Sequence, residues 1–110
     1  MIQADLVLDE AGLLRSCCVQ GHAGAGKKGN DIVCAAVSVL TRTIVRILSG
    51  RKGITLRGCI PGEGDFRIET EYAPEEREFL EAAGAFLTEG LLSVSAEFPE
   101  NCRVTIVRRN

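Results

Sequence analysis

Two side chains in this sequence have the types and the spacing for acyl-transfer chemistry: the thiol of Cys34 and the imidazole of His22. Cys34 stands in Asp31-Ile32-Val33-Cys34-Ala35-Ala36, read here as the first turn of a helix. Free backbone N–H groups and the positive end of the helix dipole favour a thiolate at such a place, and the thiolate is the reactive form. His22 is the only histidine and closes a predicted strand, at the mouth of the loop that leads to that helix. A loop that folds back lets the imidazole take the thiol proton, as nucleophilic catalysis requires. The bland alternative is that Cys34 is a small buried hydrophobe and His22 an ordinary loop residue, and spacing alone favours it.

The segment between them imitates two nucleotide motifs. Gly24-Ala25-Gly26-Lys27-Lys28-Gly29 has the form G-x-G-x-x-G. The dinucleotide reading also needs an acid about 20 residues on and a parallel βαβ unit. No acid lies between Asp31 and Glu63. Residues 21–27 match the start of a phosphate-binding loop, but Lys28 stands where a magnesium-binding Ser or Thr is needed. Neither reading is retained, and no cofactor is expected.

The elements that must position these residues follow from periodicity. Ile2 to Leu8 alternates as a strand, Asp9-Glu10-Ala11-Gly12 is a turn, and Leu13 to Gln20 is a second strand. Residues 21–30, with four glycines and two lysines, form a loop. Val33, Val37, Leu40, Ile44, Ile47 and Leu48 recur at helical spacing, with Asn30 or Asp31 as N-cap and Gly50 as stop. Ile54, Leu56 and Ile60 suggest a third strand, and Phe66 to Tyr72 alternates as a fourth. Pro74 opens a second helix whose apolar face is Phe79, Ala83, Phe86, Leu87, Leu91 and Val94, with Gly84 and Gly90 counting against its straightness. Cys102, Val104 and Ile106 make the last strand. The order ββαββαβ implies an α+β fold, a mostly antiparallel sheet with two helices packed on one face.

Residues 1–110 read as one domain, long enough to bury a core unaided. A net charge of −2 gives no electrostatic case for nucleic acid or a membrane surface. Asp5 interrupts the N-terminal apolar run, so no signal peptide is expected. The uncharged stretch Ile32–Thr41 is too short to span a bilayer. The cytoplasm is the default compartment. Five cysteines without a C-x-x-C, beside a single histidine, argue against both a disulfide framework and a metal site. Cys17, Cys18, Cys59 and Cys102 fall in strands and read as filler.

The block Gly21-His22-Ala23-Gly24, then Gly29, then Asp31-Ile32-Val33-Cys34-Ala35-Ala36-Val37-Ser38 resembles the signature of the ribosomal-processing cysteine protease Prp family. Length and element order agree with that family along the whole chain. The resemblance implies a cytoplasmic homodimer that removes a short N-terminal extension from large-subunit ribosomal protein twenty-seven. It places the catalytic pair on His22 and Cys34, and a mobile loop over the active site between them. Ala25 departs from the bulkier residue of the family, which bears on substrate preference and not on the dyad.

Around that pair, Gly21, Gly24, Gly29, Asp31 and Ser38 are the supporting candidates. Asp31 either caps the helix or orients His22, the cap being the commoner role for Asp. Ser38, four residues after Cys34, shares its helix face and lines the site or bonds back to its own helix. Backbone N–H groups at the helix start are candidates to hold the oxyanion. The competing class is a non-catalytic ribosome-associated binding module that uses the Gly-rich loop and Arg42, Arg46, Arg51, Lys52 and Arg57.

Overall fold

The structure is a computed structural model and describes residues 1–21, 28–59 and 65–109; the side chains of residues 28–31 and of Cys59 lie outside that description. The expectations placed on His22, Gly24, the gating loop and Ile60 therefore fall outside the described residues. The strands are β1 (Ile2–Leu8), β2 (Leu14–Gln20), β3 (Ile54–Cys59), β4 (Asp65–Tyr72) and β5 (Cys102–Arg108). The helices are α1 (Lys28–Ser49) and α2 (Arg77–Glu97), the second preceded by a 3-10 turn at Pro74–Glu76. The order is the expected ββαββαβ.

The sheet runs β3-β4-β2-β1-β5. Every neighbouring pair is antiparallel except β1 with β5, which pair in parallel from Ile2↔Cys102 to Leu8↔Arg108. This topology explains why both helices share a face. The connection from β2 through α1 to β3 and the connection from β4 through α2 to β5 each join parallel strands. They start from strands of opposite direction and move to opposite sides. A right-handed crossover therefore lays both helices on the same side.

Register carries the period-two pattern across the sheet. Ala4, Val19 and Phe66 line up on the helix side, as do Leu6, Cys17 and Ile68, and all six are buried. Asp5, Cys18 and Arg67 line up on the open side. A bulge at Val7/Leu8 lets Leu13 and Leu14 both enter the core. Thr70, buried on the helix side, donates its hydroxyl to the Leu14 carbonyl and so costs the core little.

In α1 the buried residues are Val33, Val37, Thr41, Ile44 and Leu48, with Leu40 and Ile47 partly covered, close to the expected stripe. Thr41 satisfies its hydroxyl on the Val37 carbonyl at 3.0 Å. In α2 the buried stripe is Leu80, Ala83, Gly84, Leu87 and Leu91. Phe86, expected on that face, is 60 % exposed: it lies one step off the stripe, and its place is taken by Gly84 and Leu87. The two glycines do not break α2. Gly84 receives Leu14, and a Cβ at Gly90 would come within 2.7 Å of Leu40 Cδ2. They are notches that bring α2 close to the sheet and to α1. By length and apolar content alone either helix could cross a bilayer, yet each lays a stripe against the sheet as core helices do.

A polar clasp fixes the end of the sheet where α1 gives way to β3. Glu76, buried, receives Arg51 through Nε and Nη2 at 2.9 Å on one carboxylate oxygen. Its other oxygen accepts the Gly53 N–H at 3.3 Å. The Arg51 guanidinium in turn lies 4.2 Å over the Phe79 ring.

Candidate active site

Contacts between the helices fix where Cys34 lies. Leu40 packs on Gly90 and Arg51 on Phe79, so α1 and α2 run antiparallel. The end of α1 turns at once into β3, so the helix also runs back along that strand. Cys34 is 15 residues before Ser49, about 22 Å at 1.5 Å per residue. The five steps from Ile54 to Cys59 span about 17 Å. Cys34 is therefore level with the far end of β3. The same end of the sheet holds the last residue of β2, since Gln20 pairs with both Gln3 and Asp65.

Gly21 follows Gln20 and turns the chain with φ +93°. A Cβ there would run into the Met1 carbonyl, so only glycine fits. His22 comes next in the chain. The end of β2 and the N-terminal half of α1 thus lie at the same end of the molecule.

Cys34 is half-buried and packs against the core cluster. It is not in the first turn of its helix. α1 begins at Lys28, so Cys34 is its seventh residue and the helix start is about 9 Å away along the axis. Asn30 and Asp31 accordingly fall inside the first turn and do not occupy the cap, and Gly29 is the second helical residue. The free N–H groups of the helix start, those of residues 28–31, lie about one to two turns before Cys34. Gly29 and Asn30 are poor helix formers, which hides the helix start from the sequence.

Ser38 is exposed one turn after Cys34. Its carbonyl accepts from Thr41 Oγ1 at 3.1 Å and from Arg42 Nε at 3.4 Å. Its hydroxyl has no partner among the described residues, so the back-bond to the helix is made by Thr41.

The other thiols divide by depth. Cys17 and Cys102 are buried in the core. Burial pushes the Cys17 thiol up to about 12, with Cys18 and Asp5 adding to it, and burial raises Cys102 as well. Cys18 is half-buried on the open face of the sheet. Cys17, Cys18, Cys34 and Cys102 all carry free thiols.

Two members of the basic group of the competing reading are paired with acids. Arg51 is bound to Glu76, and Arg57 pairs with Glu71 at 2.7 Å. One residue escaped the sequence reading. Gly58, in β3, has φ +134°, and a Cβ on it would strike the Arg67 carbonyl. A lone glycine inside a strand pattern is the signal for such a close approach.

The family described as cysteine protease Prp matches residues 1–103 of this chain. Among solved structures, SMU.848 from Streptococcus mutans is 30 % identical, covers 98 % of this chain and 95 % of its own, and superposes with a TM-score of 0.81. Two structures of an essential ribosomal processing protease Prp from S. aureus share the fold. One holds a covalently linked product peptide and is 23 % identical, with a TM-score of 0.81. The other holds a substrate peptide and is 22 % identical, with a TM-score of 0.80. Each covers 96 % of this chain and 99 % of its own. No curated protein matches significantly.

Proposed function

This chain belongs to the cysteine protease Prp family, and from that premise we propose that it removes the N-terminal extension of large-subunit ribosomal protein twenty-seven with Cys34 as nucleophile and His22 as base. That it is a cysteine protease follows from the family; the non-catalytic module is set aside on the same ground. The observation that supports the residue assignment is that the β2 end, which leads in the chain to His22, lies at the same end of the molecule as the stretch of α1 that holds a half-covered Cys34. Cys17 and Cys102 are too deep to meet a peptide. The S. aureus neighbours, as a ribosomal processing protease seen with product and substrate peptides, support the substrate class.

In the proposed reaction His22 takes the Cys34 proton, and the thiolate adds to the scissile carbonyl. The tetrahedral intermediate collapses, the C–N bond breaks, and His22 returns the proton to the leaving amine. Water, deprotonated by His22, then adds to the thioester and releases the extension as a carboxylate with the thiol restored. Ser38 and Asp31 stand on the same helix as positioning residues, and Gly21, Gly24 and Gly29 are the substrate-binding or supporting glycines around the pair. The enzyme works in the cytoplasm as a homodimer, without cofactor or metal.

The test is mass spectrometry of the ribosomal protein precursor incubated with the wild-type chain, Cys34→Ser and His22→Ala. A single cut near the N-terminus by the wild type alone is expected. Cleavage by Cys34→Ser would overturn the assignment, and an intact precursor with the wild type would overturn the substrate.

A further inference from the structure

We propose that the peptide substrate is held as an added strand on the free edge of β3, beside the flank of α1 that carries Cys34. The inference rests on the protease reading above and adds the means by which the backbone of the substrate is gripped.

The sheet has two edges, β3 and β5. Helical geometry decides which one Cys34 faces. At 100° per residue, the buried stripe of α1 centres on Val33, Val37, Ile44 and Leu48. Leu40 lies on one side of that stripe and meets α2 at Gly90. Cys34, Ser38 and Val45 lie on the other side, away from α2. α1 packs over β3, and α2 packs over β2 and β5. The side away from α2 is therefore the β3 edge, with Cys34 level with the end of that strand. The β5 edge is separated from it by α2 and three strands.

The β3 edge is also the less protected of the two. Edge strands are ordinarily kept from pairing by charges and prolines that project from them. β5 carries Arg103 and Arg108 and is followed by Arg109. β3 reads Ile-Thr-Leu-Arg-Gly-Cys, and its one charge, Arg57, is tied back to Glu71 of β4. Gly58, exposed near the Cys34 end, adds no side chain against an approaching backbone. An extended peptide paired here gains main-chain hydrogen bonds, alternates its side chains between two faces, and carries its backbone carbonyls past the thiol.

Pairing of this kind uses every second amide of the peptide, which makes it testable. Peptides spanning the cleavage junction of the ribosomal protein precursor are made with single N-methylated residues and assayed with the wild-type chain. KM is expected to rise about tenfold at alternate positions and to stay within about twofold between them. In parallel, hydrogen exchange of Cys34→Ser with the unmodified peptide is expected to slow amides of β3 and leave those of β5 unchanged. Cleavage with no alternation, or unchanged β3 amides in the peptide-bound protein, overturns this proposal alone. Failure of the wild type to cut the unmodified peptide overturns the function reading and this proposal with it.

Discussion

Gly21 and Met1 are fitted to one another: the Met1 carbonyl occupies the space that a Cβ on Gly21 would need, and Gly21 turns away with φ +93°. An alanine at that position meets both a backbone clash and a conformation that L residues rarely adopt. Gly21→Ala is expected to destabilise the fold by about 1–3 kcal/mol. It is also expected to lower peptidase activity more than Gly50→Ala does, since Gly50 has ordinary space around it. Denaturant melts and cleavage rates on the two variants check this.

Thiol chemistry offers a second check. In the native chain Cys34 is expected to alkylate fastest at neutral pH, and His22→Ala should slow it. Cys17, held up to about 12 by burial, and Cys102 should label only after denaturant is added. Peptide mapping after brief iodoacetamide treatment reads all of them, and labelling of Cys17 as fast as Cys34 in the folded protein would contradict it.

The clasp at Glu76 predicts a stability effect remote from the chemistry. Glu76→Ala strips the partner from Arg51 and from the Gly53 N–H. The Glu76 side chain is 10 % exposed and that of Arg51 43 %, so the loss should be about 1–3 kcal/mol and not that of a fully buried pair. kcat at 25 °C should stay near wild type. A variant that melts as the parent does would show that the clasp is not closed in solution.

Asp9 gives a pH signature. Burial alone raises its pKa, but the Leu13 N–H at 2.9 Å and the Tyr72 hydroxyl at 3.2 Å outweigh it and leave the carboxyl below its ordinary value of 3.8. A folded pKa below the unfolded one stabilises the native state above the unfolded value. That contribution is lost as pH falls through the folded value. Asp9→Asn should therefore be less stable than wild type near neutrality, and the two should converge as pH drops below about 4. A constant difference from pH 7 to pH 3 would rule out the carboxylate as its source.

What was legible in the sequence is uneven for physical reasons. β4 was plain because Phe66, Ile68 and Thr70 face the core while Arg67, Glu69 and Glu71 face water, and that alternation is a local property. The pairing of β1 with β5 was not legible, since no local pattern says which distant strand an edge will join. Phe86 was placed inside because an aromatic residue near the helical period looks buried, whereas packing chose Gly84 for close approach. The types of the candidate pair were visible as Cys34 and His22, but the depth of Cys34 along its helix was not. Gly29 and Asn30 have weak helix propensity, yet α1 runs through them.

The parallel pairing of β1 with β5 has a consequence for the order in which the fold closes. Ile2 donates its N–H to the Asn101 carbonyl, and β1 then runs beside β5 along its whole length. The first strand of this fold is thus flanked on its second side only by its last. Until residues 102–108 have paired, β1 is an open edge, and Met1, against which Gly21 is seated, is not anchored. The turn at Gly21, seated on Met1, therefore takes its final course only once β5 has joined the sheet.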